Sequence, residues 1–426
     1  MPGRKPPNGR AAGLLGPEAN EPVSGSLLSG ITILELGQVI AGTYGGTILA
    51  DLGAEVIKIE PFTGDGARNP TIAPLGDESS IHLFMNRGKK SVVIDLKNAE
   101  GREIFYSLVE QADVVIDNFR PGVMARLGID HESLKRRKPS IITVSVTGFG
   151  ETGPARDRPA FDLVIQAISG HVDITGHPGA PPARVGIPIA DLSGGIFACI
   201  SVLGALVGRG LHGDGHHADI AMLDSLVSLL SYDAVGFLNG TAEVTRHGTA
   251  HAHIVPWQAF EVMDGYVVVA ARDEKFWRNL CDAIGRPDLK ADPRTIDNGA
   301  RVANRSFVVD LLEAIFVTRT KDEWLAVLDS YDIPAAPVND LAGVFSDPQV
   351  EARGMIKAYD HPTLGSVRYP PSPMKFSDWE FPNRPAPMLG EHTREVLSGR
   401  LGLTSEDIDR LAAGKVVRTW PEPGPA

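Results

Sequence analysis

Residues 31–60 read ITILELGQVIAGTYGGTILADLGAEVIKIE, and the fold class follows from this stretch. Residues 31–36 and 56–59 are short, β-rich apolar runs, and residues 44–52 between them repeat apolar side chains at helical spacing. A strand, a glycine-containing turn, a helix and a second strand form the βαβ unit of doubly wound nucleotide-binding folds. We therefore predict an α/β protein with a Rossmann-like domain. The turn reads GQVIAG rather than GxGxxG, so it is only a weak signal for a dinucleotide.

The alternation of strands and helices continues downstream of this unit. The predicted strands are residues 91–96, 114–118 and 141–146, and the predicted helices are residues 99–111, 193–209 and 221–238. From residue 240 to residue 330 the pattern changes to a hairpin, residues 260–262 and 266–271 around Met263-Asp264-Gly265, followed by helices. These helices are predicted at residues 274–284, 304–318 and 321–330. This second region predicts a smaller α+β domain.

Composition and charge narrow the classes of function. The chain has 426 residues, too many for one ordinary core, and a net charge of -12, which argues against general nucleic-acid binding. No apolar run reaches the roughly 20 residues of a membrane span, so we expect no membrane association. Residues 1–25 lack the apolar segment of a signal peptide and are expected to form a disordered tail, as are residues 420–426. Two cysteines, Cys199 and Cys281, favour a reducing, cytoplasmic location.

A carboxylate opens an apolar run in residues 158–170, RPAFDLVIQAISG. Asp162 at this position is costly to bury unless hydrogen bonds or a helix N-terminus stabilise it. From these residues alone, a helix N-cap is the commoner explanation, and a catalytic carboxylate is the alternative. Asp191 is the rival candidate. It precedes Ser193 and an apolar helical stripe, so a cap or a substrate-positioning role suits it better.

Two long stretches place this carboxylate in a known context. Residues 146–170, VTGFGETGPARDRPAFDLVIQAISG, and residues 181–210, PPARVGIPIADLSGGIFACISVLGALVGRG, closely resemble the family III CoA-transferases. That family includes formyl-CoA transferase, carnitine CoA-transferase and α-methylacyl-CoA racemase. The resemblance extends from about Leu28 to about Leu411. It implies that Asp162 is the catalytic carboxylate.

Further motifs imply the residues that contact CoA. Residues 86–91, NRGKKS, and residues 118–128, NFRPGVMARLG, resemble family patterns, and the backbone after the first strand lies along CoA in the family. Cations at the loops of an α/β sheet could also neutralise phosphates. The CoA-binding residues expected on these grounds are Gln38, Val39, Ile40, Ala41, Arg68, Lys89, Asn118 and Arg126. Gly88 and Pro61 depart from the family pattern, Pro61 where some members carry an adenine-stacking arginine.

The resemblance also implies the architecture. Both termini build the large domain in the family, so residues 26–225 and 331–426 are expected to form the large CoA-binding domain. Residues 226–330, with linkers, would form the small α+β domain, and two subunits would interlock as rings in a homodimer. His251 and His253 could bind a metal, but no third ligand lies at a recognisable spacing, so we predict no metal site.

The implied reaction moves CoA from an acyl-CoA donor to a free, possibly dicarboxylic, acid through an aspartyl-CoA thioester. It needs no prosthetic group, because CoA is part of the substrate. An α-methylacyl-CoA racemase is an alternative, but racemases carry a histidine and a tyrosine around the aspartate where this chain has Phe161 and Ile165. A non-catalytic CoA-binding member is a further alternative. Arg184 could pair with a second carboxylate of the acid, or stabilise a turn.

Overall fold

The computed structural model describes residues 26–241 and 243–420. The disordered tail expected at residues 1–25, and all but the first residue of the one expected at 420–426, lie outside the described residues.

The first part of the described chain, up to residue 241, alternates strands and helices. Its strands are β1 (Thr32–Glu35), β2 (Glu55–Glu60), β3 (Pro74–Leu75), β4 (Glu78–Ser79), β5 (Lys90–Ile94), β6 (Val114–Asp117), β7 (Ile142–Thr147) and β8 (His217–Ala221). Its helices are α1 (Ala41–Asp51), α2 (Ser80–Met85), α3 (Ala99–Gln111), α4 (Val123–Leu127), α5 (His131–Arg137), α6 (Asp162–Ile168), α7 (His171–Ile174), α8 (Ile189–His212), α9 (Met222–Leu229) and α10 (Ser231–Leu238).

The second part, from residue 243 to residue 420, contains the remaining elements. Its strands are β9 (Trp257–Val262), β10 (Gly265–Ala270), β11 (Ala335–Pro337), β12 (Lys357–His361), β13 (Gly365–Tyr369) and β14 (Val417–Arg418). Its helices are α11 (Glu274–Ala283), α12 (Asn298–Ala303), α13 (Arg305–Phe316), α14 (Lys321–Ser330), α15 (Leu341–Phe345), α16 (Pro348–Ala352), α17 (Thr393–Leu401) and α18 (Ser405–Ala413).

A seven-stranded sheet organises the larger unit, in the order β14-β5-β2-β1-β6-β7-β8. Every pair in it is parallel except β14 with β5, which is antiparallel. The chain runs from β1 outward through β2 and β5, then crosses back to β6 on the other side of β1. The strand order therefore reverses between β1 and β6, and such a switch point is where open α/β sheets bind ligands. The α/β prediction with a parallel central sheet is confirmed.

Apolar side chains cover both faces of this sheet, as a parallel sheet requires. Ile33 and Val114 point to one face and pack with α1, α8 and α9. Leu34 and Val115, their neighbours along the strands, point to the other face and pack with α3, α17 and α18. The period-two alternation of near-continuous apolar strands thus places a helical layer on each side.

A smaller antiparallel sheet, β11-β10-β9, is the centre of the second unit. The predicted hairpin is present as β9 and β10, and helices α11, α13 and α14 pack on it through Trp277, Phe316 and Trp324. The rings of Phe316 and Trp324 lie 4.7 Å apart. Because β11 pairs with β10, this unit extends beyond residue 330, where the sequence had suggested a return to the large domain.

Three of the differences from the sequence-based expectations concern helix α8 and its neighbours. The helix predicted over residues 221–238 is split into α9 and α10 at Ser231, whose backbone φ is 53°. Strand β8 precedes it and was not predicted, because its exposed His217 and Asp219 give it the pattern of a polar edge. Helix α8 begins at Ile189, four residues before the predicted start, so Asp191 lies inside its first turn.

By length and composition alone, helix α8 is long and apolar enough to cross a membrane. The expectation that no segment reaches this length was therefore wrong. The core helix of a globular protein passes the same test, and Ala198, Cys199 and Val202 of α8 are buried against the sheet. The opposite face of the helix leaves apolar side chains such as Ile200 and Val207 exposed.

Candidate active site

Asp162 is the first residue of α6, and its carboxylate accepts one hydrogen bond from the backbone of α8 and one from a side chain of α6. Oδ1 accepts a hydrogen bond of 2.8 Å from the backbone N–H of Ala190 in the first turn of α8. Oδ2 accepts one of 2.6 Å from Nε2 of Gln166. The residue before Asp162, Phe161, occupies the N-cap position, and α6 has no side-chain cap. The N-cap interpretation of Asp162 is therefore wrong, because its oxygens face α8 and Gln166 instead of the N–H groups of α6.

Gln166 is fully buried and lies one helical turn after Asp162. Its Oε1 accepts a hydrogen bond of 2.9 Å from the backbone N–H of Val185, and its Nε2 also lies 3.3 Å from the carbonyl oxygen of Ile187. These contacts set the orientation of the amide, so Nε2 faces the carboxylate. Gln166 was not predicted as a site residue from the sequence. The available signal was a lone amide four positions after Asp162 in an otherwise apolar run.

Asp191 follows the residue that binds Asp162, but it does not cap α8, whose N-cap is Pro188 without a side-chain hydrogen bond. Burial, together with the charge of Asp162, raises the pKa of Asp191 to about 7. The capping interpretation of Asp191 is therefore wrong, and its carboxyl group lies near enough to that of Asp162 to be affected by its charge. A carboxyl group with this pKa exchanges its proton near neutral pH.

The turn after β1 is shaped by hydrogen bonds to its backbone. Asn118, at the end of β6, accepts from the N–H of Gln38 at 2.8 Å and donates to its carbonyl oxygen at 2.8 Å. The N–H of Val39 donates to Oδ1 of Asp65 at 2.9 Å, and Val39 adopts a left-handed φ of 62°. Gln38 and Asn118 thus meet at the switch point between β1 and β6. Ile40 and Ala41 follow directly and begin α1.

A buried cluster of charges lies beneath this turn. Nζ of Lys89 is 2.9 and 2.7 Å from the two carboxylate oxygens of Glu35 and 2.8 Å from the carbonyl oxygen of Thr43. Nζ of Lys58 is 3.1 Å from Glu35 and 2.9 Å from Asp65. Burial lowers the pKa of Lys89 to about 8 despite Glu35, whereas the carboxylates of Asp65 and Glu35 outweigh burial and raise the pKa of Lys58.

Ion pairs hold the side chains of two of the expected CoA contacts, Lys89 and Arg68. The side chain of Lys89 is fully buried and its three N–H donors are occupied, so it supports the turn from below and does not reach the surface. Arg68 pairs with both oxygens of Glu60 and donates to the carbonyl oxygen of Pro387 at 3.0 Å. Burial would raise the pKa of Glu60, but this guanidinium lowers it to about 2. Arg68 is thus held in an ion pair, with only a small part of its side chain exposed.

A cavity of about 760 Å³ opens at the carboxyl ends of β1, β2, β5 and β6. Two of the expected residues, Gln38 and Arg126, line it. Pro61, which the family pattern placed near the adenine, also lines it, together with the acidic residues Glu60 and Asp95. Most of the remaining lining is apolar and was not predicted; the residues without a prediction include Phe62, Leu96, Lys97, Phe119, Val123 and Lys415. Their sequence signal was weak, since each is an ordinary loop or helix residue until the strand order brings the strand ends together.

The crossing of α1 and α8 connects the turn with Asp162. A β-carbon on Gly195 of α8 would lie 2.9 Å from the carbonyl oxygen of Ala41, so the backbones touch there. Ala190 is five residues earlier on the same helix, about 7.5 Å along its axis. The first turns of α8 therefore join the start of α1 at one end to the carboxylate of Asp162 at the other.

A comparison with known proteins identifies the family of the chain. A profile named CoA-transferase family III matches residues 28–393. The chain belongs to CoA-transferase family III.

Named relatives and a solved structure cover most of this transferase. It is 35% identical over 392 residues to human succinyl-CoA:glutarate CoA-transferase, and the alignment covers 92% of this chain and 90% of that protein. It is 38% identical over 367 residues to acetyl-CoA:oxalate CoA-transferase of Acetobacter aceti, covering 85% and 92%. A crystal structure of a CAIB/BAIF family protein from Brucella suis has a TM-score of 0.79 at 36% identity and covers 88% of this chain and 100% of that chain. The family resemblance is confirmed, and this chain is a CoA-transferase.

Within residues 26–241 and 243–420 of this family III transferase, no group of three His, Cys, Asp or Glu side chains could hold a metal ion. The rings of His251 and His253 are 6.2 Å apart, and each belongs to the lining of a small cavity of about 220 Å³.

Proposed function

We propose that this transferase moves CoA from an acyl-CoA donor to a free dicarboxylic acid through a thioester on Asp162. The observation that carries the proposal is the pair of hydrogen bonds that holds this carboxylate, 2.8 Å from Ala190 and 2.6 Å from Gln166, at the start of α8. Asp162 is only partly buried, so its carboxylate is both oriented and within reach of a substrate. A carboxylate in this state is a nucleophile that needs no separate base.

The chemistry proceeds in two exchanges. Asp162 attacks the thioester carbonyl, the C–S bond breaks, and the CoA thiolate leaves with the electron pair, so a mixed anhydride forms. The thiolate then attacks the aspartyl carbon and expels the donor acid, which leaves an aspartyl-CoA thioester. The acceptor acid repeats these steps in reverse order. A thiol with a pKa near 8.5 is a fair leaving group, and a site that excludes water protects both intermediates.

The proposed CoA site is the cavity at the strand switch point. Its apolar lining suits the adenine base, and Arg126, Lys97 and Lys415 at its edge suit the phosphates. The backbone of residues 38–41 leads from the cavity toward α8 and would run along the pantetheine arm. Asn118 supports that backbone instead of the ligand directly. Lys89 and Arg68 support the floor of the site through Glu35 and Glu60.

A dicarboxylic acceptor is favoured by the names of the relatives, which act on glutarate and oxalate. Arg184 is exposed and immediately precedes Val185, whose N–H fixes Gln166. Its guanidinium is therefore the proposed partner of the second carboxylate of the acid. A variant that lacks this charge should lose affinity for dicarboxylic acids and keep it for monocarboxylic ones.

The proposed active form is a homodimer in the cytoplasm. Helices α8 and α10 each expose apolar side chains, among them Ile200, Val207, Leu211, Val235 and Leu238, and exposed apolar surface is typical of association surfaces. A second copy of the chain, in the interlocked arrangement of the family, is the proposed cover. Cys199 and Cys281 are both free and buried, which supports a reducing compartment.

The test compares Asp162→Ala with Asp173→Ala, a change of an exposed aspartate in the neighbouring α7. We expect Asp162→Ala to lower turnover by more than about 1,000-fold while CoA still binds, and Asp173→Ala to stay near wild type. Hydroxylamine should modify Asp162 only when the donor thioester is present, and transfer should occur without exchange of the α-proton. Full activity in Asp162→Ala, with activity lost in Asp191→Ala, would reverse the assignment.

A further inference from the structure

The two oxygens of Asp162 are bound by donors of different kinds. The donor to Oδ1 is the backbone N–H of Ala190, in the first turn of a 24-residue helix. The donor to Oδ2 is the side-chain amide of Gln166. One donor is therefore part of a rigid helix end, and the other is a side chain held by a neighbouring loop.

We propose that this asymmetry gives the two oxygens separate roles during turnover. Oδ1 stays on the protein as the carbonyl oxygen of the aspartyl thioester, whereas Oδ2 forms and loses the bonds to the substrate acids. The inference rests on the proposed covalent route through Asp162. It makes the N–H of Ala190 the donor that stabilises negative charge on the aspartyl carbonyl, and it makes Gln166 a positioning residue.

Neither donor can follow the carboxylate of Asp162 if it rotates about its Cβ–Cγ bond. Ala190 is fully buried, and the backbone contact of Gly195 with Ala41 holds the first turns of α8 in place. The amide of Gln166 is oriented by the N–H of Val185 at 2.9 Å and is fully buried. Exchange of the two oxygens by rotation about the Cβ–Cγ bond would break both hydrogen bonds of Asp162 at once. The retained oxygen therefore keeps its identity from one turnover to the next.

The position of the Ala190 N–H suits an oxyanion. When the CoA thiolate attacks Cγ of Asp162, Oδ1 takes the negative charge and the Cγ–Oδ2 bond then breaks. A fixed backbone donor at the N-terminus of a long helix is aimed at that charge without any rearrangement. The donor acid leaves with the former Oδ2. An oxygen of the acceptor acid next bonds to Cγ as the C–S bond breaks, and it becomes the new Oδ2 when the thiolate takes the acyl group.

Oxygen labelling tests this directly in the wild-type enzyme. The enzyme is incubated for many turnovers with succinyl-CoA and with glutarate whose carboxyl groups carry a heavy oxygen isotope. Excess labelled glutarate then converts the remaining thioester back to the free carboxylate of Asp162. Mass spectrometry then counts heavy oxygens in the peptide that contains Asp162. We expect one and no more. Two heavy oxygens would overturn the inference and leave the covalent route intact, whereas none, despite continued transfer, would overturn the covalent route itself.

A variant adds a second measurement. Gln166→Met keeps the volume and removes the donor, so we expect kcat to fall by about 100-fold with an unchanged KM for acyl-CoA. A second heavy oxygen should then enter Asp162, because the carboxylate is free to turn. The exposed Gln349→Met on α16 is the matched control and should behave as wild type. A Gln166→Met protein that folds, turns over slowly and still takes up only one heavy oxygen would show that Gln166 does not position the carboxylate.

Discussion

The contact between α1 and α8 predicts that one methyl group added to Gly195 will impair catalysis from a distance. A β-carbon there would lie 2.9 Å from the carbonyl oxygen of Ala41, 2.9 Å from Cβ of Tyr44 and 3.1 Å from the backbone nitrogen of Gly45. Ordinary contacts of this kind are about 3.5–4.0 Å, so the helices must separate by roughly 0.5–1 Å. Two of the three atoms belong to the backbone and cannot move aside. We expect Gly195→Ala to lower the free energy of unfolding by about 1–3 kcal/mol.

The same displacement reaches the candidate active site. A shift of roughly 0.5–1 Å in the first turns of α8 would lengthen the 2.8 Å bond from Ala190 to Asp162 beyond the usual range of a hydrogen bond. Loss of a hydrogen bond to a charged group costs about 1.5–3 kcal/mol, so kcat should fall by about 10- to 100-fold.

Chemical denaturation and steady-state transfer kinetics measure the two effects. The matched control is Gly210→Ala on the same helix, where nothing lies within 4 Å of the added carbon. This control should be neutral or gain up to about 1 kcal/mol in stability, with unchanged kcat. If Gly195→Ala matched Gly210→Ala in both stability and kcat, the rigid connection between α1, α8 and Asp162 would be refuted.

Two further predictions concern charge. Because the pKa of Asp191 is raised to about 7, the folded state holds a proton that the unfolded state releases, and wild-type stability falls as the pH rises from about 4 to about 7. Asp191→Asn should therefore be more stable than wild type by about 2 kcal/mol at about pH 8 and equally stable near pH 4. This figure is half of the free energy that corresponds to the whole pKa shift, because the carboxyl group of Asp191 is partly accessible to solvent. Denaturation curves that give the same difference in stability at both pH values would contradict this prediction. Arg126→Ala should raise the KM for acyl-CoA by about 10-fold with unchanged kcat. Arg120→Ala, which removes an exposed arginine outside the cavity lining, should leave this KM unchanged. Equal kinetics of the two variants would show that Arg126 does not belong to the CoA site.

The elements that the sequence predicted correctly are those whose pattern is local. Residues 99–111 form α3 as predicted, and the βαβ unit of residues 31–60 is present, because amphipathic period and apolar runs report burial within one element. The split at Ser231 depends on one backbone angle that propensities do not show. The polar strand β8 depends on its place at the edge of the sheet, where it needs few apolar side chains.

The residues of the candidate site also fall into those that a local motif indicates and those whose contacts depend on the fold. Asp162 could be named from its motif, and so could the turn at residues 38–41. Lys89 was assigned to the ligand from its motif and Arg68 as a cation in a loop, but only the fold shows that Glu35 and Glu60 pair with them. The identity of a cation does not say whether it faces solvent or a buried carboxylate.

Periodicity and apolar runs are properties of neighbouring residues, and they were sufficient for the α/β class and most helices and strands, whereas the family motif is what proposes Asp162 as the nucleophile. The donors of Asp162, the ion pairs under the turn and the cavity at the strand ends join segments that are far apart in the chain, such as Asp162 with Ala190 and Glu35 with Lys89. Contacts of that kind exist only once the sheet order and the crossing of α1 with α8 are formed. The tertiary structure alone therefore decides how the carboxylate is oriented.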